Sequence, residues 1–162
     1  MSKVAIISDT HDRVPILRET LRQFEKHKIK TIFHCGDVAR FETAYLMAGF
    51  QVIYCYGNGD HEYEKISATL KEANSASVTG FVCEIELDGR RIATTHSHMP
   101  GKLTELANSG KYDFVFYGHT HRQKMQQIND CVVINPGALG NPNTTSLNFA
   151  ILDLKTGAVD FY

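Results

Sequence analysis

Five short runs of β-branched and aromatic residues in this chain each end in a turn built from carboxylate, amide or imidazole side chains, and that recurrence restricts the fold more than any other feature. Val4 to Ile7 leads into Ser8-Asp9-Thr10-His11, Thr31 to His34 into Cys35-Gly36-Asp37, and Gln51 to Tyr56 into Gly57-Asn58-Gly59-Asp60-His61. Further on, Arg91 to Thr94 leads into Thr95-His96-Ser97-His98, and Phe114 to Tyr117 into Gly118-His119-Thr120-His121. In open α/β sheets the carboxyl ends of parallel strands share one edge, where binding crevices form. Strands lying side by side would bring the five turns together.

Helix-like segments separate the early runs. From about Pro15 to His27, Val14, Leu17, Leu21 and Phe24 recur at three- and four-residue spacing, with Pro15 in the first turn where its missing N–H costs nothing. Further helices are expected at about Phe41 to Ala48, Glu64 to Ala73 and Lys102 to Ser109. Asp88-Gly89 signals a hairpin between Phe81 to Leu87 and Arg91 to Thr95, so the sheet is mixed. Consecutive strands follow at Lys124 to Ile128, Val132 to Asn135, Leu147 to Leu152 and Val159 to Tyr162. So many strands in 162 residues fit two packed sheets flanked by helices better than one very wide sheet.

That length, with 43% hydrophobic content, suits a single domain spanning residues 1–162. Seventeen basic and 18 acidic residues are scattered without like-charged runs, giving a net charge of -1, which disfavours nucleic acid as a partner. No apolar stretch is long enough for a membrane span, and Met1-Ser2-Lys3 leads straight into a strand-like run rather than a signal peptide; a cytoplasmic protein is expected. Cys35, Cys55, Cys83 and Cys131 form no Cys-x-x-Cys pair and read as buried small hydrophobes. Apolar residues on the last strands could serve a subunit interface in a homo-oligomer, though the pattern does not separate them from core.

Taken singly, Asp9 or Asp37 reads as a helix N-cap, and Gly57-Asn58-Gly59 as an ordinary turn. Six of eight histidines, however, fall in the strand-end clusters; His27 reads as a solvated helix end and His34 as a packed strand residue. Asp, His and Asn without thiolate suit manganese, nickel, iron or zinc better than calcium. Seven such groups are too many for one ion, and two ions roughly 3.5–4 Å apart, bridged by a carboxylate, would use them all.

Asp9-x-His11, Gly36-Asp37, Gly57-Asn58-x-Asp60, His96-x-His98 and Gly118-His119-x-His121, in that order, resemble the signature of the calcineurin-like metallophosphoesterases. Asn135-Pro136-Gly137-Ala138 resembles the loop that follows in the small bacterial and archaeal phosphodiesterase branch. The resemblance implies an α/β fold, a four-layer αββα sandwich of two mixed β-sheets. It also implies two divalent transition-metal ions, manganese foremost. Asp9, His11, Asp37 and His121 would hold one, and Asp37, Asn58, His96 and His119 the other, with Asp37 as bridge. The activity implied is hydrolysis of a small phosphodiester by a metal-bridging hydroxide. The alternatives are a phosphomonoesterase or nucleotidase using the same metals, with Arg40 or Arg122 on the terminal phosphate, and a non-catalytic scaffold like a retromer coat subunit of related fold.

Many members of that family place a histidine directly after the metal-binding asparagine, where it assists the reaction; this chain has Gly59. His98, sharing a turn with His96, is the first substitute as general acid, and His61 the second. Asp60 is expected to orient either imidazole.

Overall fold

The structure, a computed structural model, describes residues 3–143 and 146–162. Met1 and Ser2, which bear on the signal-peptide reading, lie outside the described residues. Along the chain come β1 (Lys3–Ile7), α1 (Val14–Lys26), β2 (Thr31–His34), α2 (Phe41–Tyr45), β3 (Gln51–Cys55) and α3 (Tyr63–Ala73). Then follow β4 (Val78–Gly80), β5 (Val82–Leu87), β6 (Arg90–Thr95), α4 (Lys102–Asn108), β7 (Phe114–Tyr117), β8 (Gln123–Ile128), β9 (Cys131–Pro136), β10 (Ala150–Asp153) and β11 (Val159–Phe161).

The strands form two sheets. The first has the order β11-β10-β1-β2-β3-β4, the second β5-β6-β7-β9-β8. β1 to β4 run parallel, as do β6, β7 and β9, while β10, β11, β5 and β8 join antiparallel. Both sheets are mixed.

The central strands are apolar on both faces because both faces are covered. Ala5, Ile7, Ile32, Val52 and Tyr54 pack under the helices with Leu17, Leu21 and Phe24 of α1, the stripe expected from the sequence. The alternate residues Val4, Ile6, Phe33, Ile53 and Cys55 meet Ile92, Phe114, Phe116 and Ile134 of the second sheet. Phe33 and Phe116 cross edge to face between the sheets at 4.9 Å. On the far side Ala93, Val115 and Val133 pack against Leu106 and Ala107 of α4. Helices, sheet, sheet, helix make the four-layer αββα sandwich. Each fully buried large side chain stabilises it by roughly 1.5–3 kcal/mol, and all four cysteines are buried free thiols within it.

The Asp88-Gly89 hairpin is present, both residues adopting positive φ (50° and 74°), as the tight turn requires. Three elements differ from the sequence reading. β4 is a three-residue strand without alternation, too short to announce itself, yet it extends the first sheet beside β3. α2 ends at Tyr45, and i→i−3 bonds to Ala44 and Tyr45 carry the chain on as turns. Leu147 to Phe149 is not strand. Its apolar character serves burial of Phe149, while the Asn148 amide donates to the Ala138 carbonyl at 3.1 Å. No helix among the described residues is long and apolar enough to cross a membrane.

Candidate metal centre

Every strand-end turn singled out in the sequence lies where the carboxyl edges of the two sheets meet. The first two turns are zipped together by backbone bonds that prolong the β1–β2 pairing: the N–H groups of Asp9, His11 and Asp12 donate to the carbonyls of Gly36, Asp37 and Val38. The loop at 136–140 closes over them, with Leu139 N–H on Ser8 O and Gly140 N–H on Asp9 O.

Five of the seven expected ligands, Asp9, His11, Asp37, His119 and His121, have positive φ between 45° and 70°. A left-handed backbone costs a non-glycine residue roughly 1–2 kcal/mol, less for Asp. Such conformations persist only where surrounding bonds over-determine them, and they concentrate at functional sites.

Asp9 is not a helix cap. Its Oδ2 accepts the Ser8 hydroxyl at 2.5 Å and the His119 N–H at 3.0 Å, which leaves Oδ1 pointing into the cluster. Oδ1 lies 3.1 Å from His121 Nε2, 3.8 Å from His11 Nε2 and 3.9 Å from His96 Nε2. Asp37 Oδ1 accepts the Gly59 N–H at 2.7 Å, and its Oδ2 stands 3.3 Å from His96 Nε2. The His96 Nδ1–H donates to the Cys35 carbonyl at 2.6 Å, so Nε2 is the nitrogen presented to the carboxylates. Two groups of donor atoms result, Asp9-His11-His121 and Asp9-Asp37-His96, which share Asp9. His119 is brought in by its ring, 5.1 Å from that of His96. Asn58 is exposed, on the loop whose Gly59 holds Asp37.

The residues fit a cation. Among the described residues, Asp9 Oδ1 and His96 Nε2 are buried and make no hydrogen bond of regular geometry, their nearest polar atoms being the other ligand atoms, His121 Nε2 and Asp37 Oδ2; a buried polar group so left costs about 1–3 kcal/mol, and more when charged. A positive ion between them would satisfy both. Burial opposes charge on His96, but Asp37 and Asp9 outweigh it and raise its pKa. Burial likewise favours the neutral form of Asp37, yet His96 and the Gly59 N–H bring its carboxyl down to about 2. Metal binding would displace the imidazole proton.

Among the described residues, the hydrogen bonds of Asp60 go to groups other than imidazoles. Its Oδ2 accepts from the N–H groups of Asp37 (3.0 Å) and Gly57 (2.8 Å) and from the Tyr54 hydroxyl (2.6 Å), and its Oδ1 from the Ala39 N–H (3.0 Å). Four donors close around one buried carboxylate, which clasps the Asp37 and Asn58 loops together. His61 is exposed, whereas His98 is partly buried with its ring 5.5 Å from His96 and its Nδ1 without a hydrogen bond among the described residues. Burial, then the neighbouring His96 and His119, lower the His98 pKa. Arg40 sits 3.8 Å from Asp12 and 3.9 Å from Glu42.

Sequence reasoning missed the groups that hold the ligands in place. The Asn135 amide donates to Gly118 O and Thr120 Oγ1, fixing the turn that bears His119 and His121. His34 is packed as expected, but it also does a job: Nδ1 accepts the Gly36 N–H at 3.2 Å, so Nε2–H faces Thr10 Oγ1 at 2.9 Å. Burial, reinforced by the charge of His96, pushes its pKa from 6.5 down to about 3. The fold therefore holds this ring neutral while an unfolded chain takes up a proton below pH 6.5. Stability should fall as pH drops from about 6.5 toward 3 and be unaffected by this group above that window. The slope approaches about 1.4 kcal/mol per pH unit and the whole loss is on the order of 5 kcal/mol. Urea midpoints between pH 7 and 4 measure it; His34→Gln should flatten the dependence, and an equally steep curve would assign it elsewhere. Asp37 adds a loss of the same sign at lower pH, from 3.8 to about 2.

Comparison with known proteins gives a consistent picture. The family model described as the calcineurin-like phosphoesterase superfamily domain matches residues 2–157. The chain is 34% identical to phosphodiesterase MJ0936 of Methanocaldococcus jannaschii, over 94% of this chain and 93% of that protein. It is 27% identical to the probable metallophosphoesterase YsnB of Bacillus subtilis, over 98% of this chain and 89% of that one. A solved structure of an archaeal phosphodiesterase superposes with a TM-score of 0.93 at 31% identity, covering 99% of this chain and 98% of the other.

Proposed function

This chain belongs to the calcineurin-like phosphoesterase superfamily, an enzyme acting on phosphoric esters, and on that premise we propose that it is a metal-dependent phosphodiesterase with a dinuclear centre. The observation that carries the reading is the pair of buried ligand atoms, Asp9 Oδ1 and His96 Nε2, that make no regular hydrogen bond among the described residues and converge with Asp37 Oδ2 at the junction of the two sheets. Asp9, His11, Asp37 and His121 would hold one ion, and Asp37, Asn58, His96 and His119 a second. When bound, such ions lower the pKa of coordinated water and neutralise phosphate charge.

The chain's own side chains supply the rest. The Cys35 carbonyl fixes the His96 tautomer, and Asp60 holds the two loops that bear Asp37 and Asn58. With Gly59 after Asn58, His98 is the group that would assist the leaving oxygen, as a hydrogen-bond donor in the neutral form that its lowered pKa favours, since its ring adjoins His96 while His61 stands out in solvent. His98→Ala should lower turnover about 100-fold on alkyl diesters, less on activated aryl diesters, with metal content unchanged. Unchanged turnover on both would remove His98 from the reaction.

The diester preference rests on the M. jannaschii relative named a phosphodiesterase and on Arg40, which is drawn toward Asp12 and Glu42 rather than left for a terminal phosphate. The test is to strip the protein with chelator and restore manganese, nickel, zinc or magnesium singly, following an aryl phosphodiester beside the matching monoester. Restored diester hydrolysis, led by manganese, supports the reading; faster monoester hydrolysis would make it a phosphomonoesterase.

A further inference from the structure

Three aromatic rings stand together beside the candidate metal centre with no part in holding it. Tyr56 lies 5.0 Å from Tyr63 and 5.2 Å from Phe81, and Tyr63 lies 5.7 Å from Phe81, centroid to centroid. Tyr56 is buried and anchored by its hydroxyl on Thr79 Oγ1 at 3.0 Å. Tyr63 and Phe81, by contrast, are 39% and 48% exposed. Large aromatic side chains normally bury their area, so an anchored ring carrying two exposed ones is a surface open to a further ring. A cleft of about 320 Å³, lined by His61, Glu62, Tyr63, Glu64 and Lys65, opens beside the Tyr63 member of the cluster.

The backbone ties this cluster to the reacting end of the site. Gly57 packs so closely on Asp37 that an added Cβ would come within 2.0 Å of Asp37 Oδ1. Tyr56 is the residue before it, and the Tyr56 N–H donates to Gly80 O at 2.8 Å. Phe81 follows Gly80, so it leaves the sheet on the same carboxyl edge, one strand from Tyr56, a spacing of about 4.8 Å. The cluster thus begins one residue along the chain from the glycine that packs on Asp37. The cleft also offers Glu62 and Glu64, and Lys65 is already paired with Glu62. That balance rejects a second phosphate and suits an uncharged planar group.

We propose that Tyr56, Tyr63 and Phe81 form the subsite for a planar aromatic group on one arm of the phosphodiester, either a nucleobase or a simple aryl ring. The proposal rests on the phosphodiesterase reading and narrows its substrate class. Stacking of a base on aromatic side chains is sequence-tolerant and strong enough to shift binding about tenfold.

The test compares KM and kcat for three diesters, one carrying a nucleoside, one an aryl group and one only alkyl groups, in the wild type and in Phe81→Ala and Tyr63→Ala. The ratio of KM for ring-bearing to alkyl diesters should rise about tenfold in both variants, with kcat little changed. A larger rise for the nucleoside diester identifies a nucleobase, and equal rises identify any aryl ring. An unchanged ratio overturns the subsite. Phe81→Trp adds a reading that needs no turnover, because the sequence has no other tryptophan. Its fluorescence should be quenched by a nucleoside monophosphate or a nitrophenyl phosphate and not by inorganic phosphate. If the wild type cleaves no diester the phosphodiesterase reading falls, while quenching still decides whether the rings bind an aromatic group.

Discussion

Asp37→Asn is expected to cut metal-restored hydrolysis by at least about 10³-fold and to weaken metal binding in parallel. Asparagine, unlike alanine, is at ease at the φ of 61° found there, so the backbone need not move. Its amide oxygen can still accept the Gly59 N–H that Asp37 Oδ1 accepts at 2.7 Å. What changes is Oδ2, now an amide nitrogen 3.3 Å from His96 Nε2, a donor where a ligand oxygen stood. Stabilisation of transition-state charge by bound ions is worth several kcal/mol, and each 1.36 kcal/mol is tenfold in rate. Metal titration by calorimetry, set beside turnover of the aryl diester, measures both effects. Full activity in a metal-replete Asp37→Asn protein would remove Asp37 from the centre.

Gly118→Ala should weaken metal binding without replacing any ligand. A Cβ at Gly118 would lie 1.9 Å from Ser8 Oγ and 2.8 Å from both Asp9 Oδ2 and the Cys35 carbonyl. The Ser8 hydroxyl and the His119 N–H are what aim Asp9, and the Cys35 carbonyl is what aims His96. One methyl group therefore displaces the supports of two ligands at once. Overpacking costs about 1–3 kcal/mol, and a backbone carbonyl and a hydrogen-bonded carboxylate on the receiving side put this substitution at the upper end. Loss of ligand-orienting bonds typically costs a further 10–100-fold in metal affinity. Gly49→Ala, with no atom of the described residues within 4 Å of the new Cβ, is the control and should change stability by less than about 0.5 kcal/mol. Thermal midpoints and metal affinity of the two variants together give the answer. Equal behaviour would mean that the Ser8–Gly118 packing is looser than its geometry requires.

Much of this architecture is legible in the amino-acid sequence. The α1 stripe of Leu17, Leu21 and Phe24 could be read because a helix covering a sheet must repeat apolar residues at its own period. The strand-end turns could be read because a shared sheet edge collects whatever follows each parallel strand. What could not be read is everything set by contact across the sequence. Asp60 sits two residues after Asn58 and reads as a partner for histidine, yet four donors from Ala39, Asp37, Tyr54 and Gly57 claim its oxygens. Nothing local announces that the His34 ring, the Cys35 carbonyl or the Asn135 amide serves the ligand turns, since each acts on residues distant in sequence or through a tautomer. β4 escaped for another reason: three residues are too few to show a period.

β1 lies inside its sheet, with β2 along one edge and β10 along the other. The first partner follows within a few dozen residues, whereas Ile6 must wait for Ala150 and Lys3 for Asp153. A growing polypeptide will therefore have made His121 and every residue proposed to hold metal while one rim of β1 still lacks its neighbour. That rim is an open row of N–H and C=O groups on an apolar strand, the kind of template on which another chain can pair. On a crowded polysome, the hazard for this protein is two unfinished copies meeting there, and it ends only when residues 150–153 leave the ribosome and take the place.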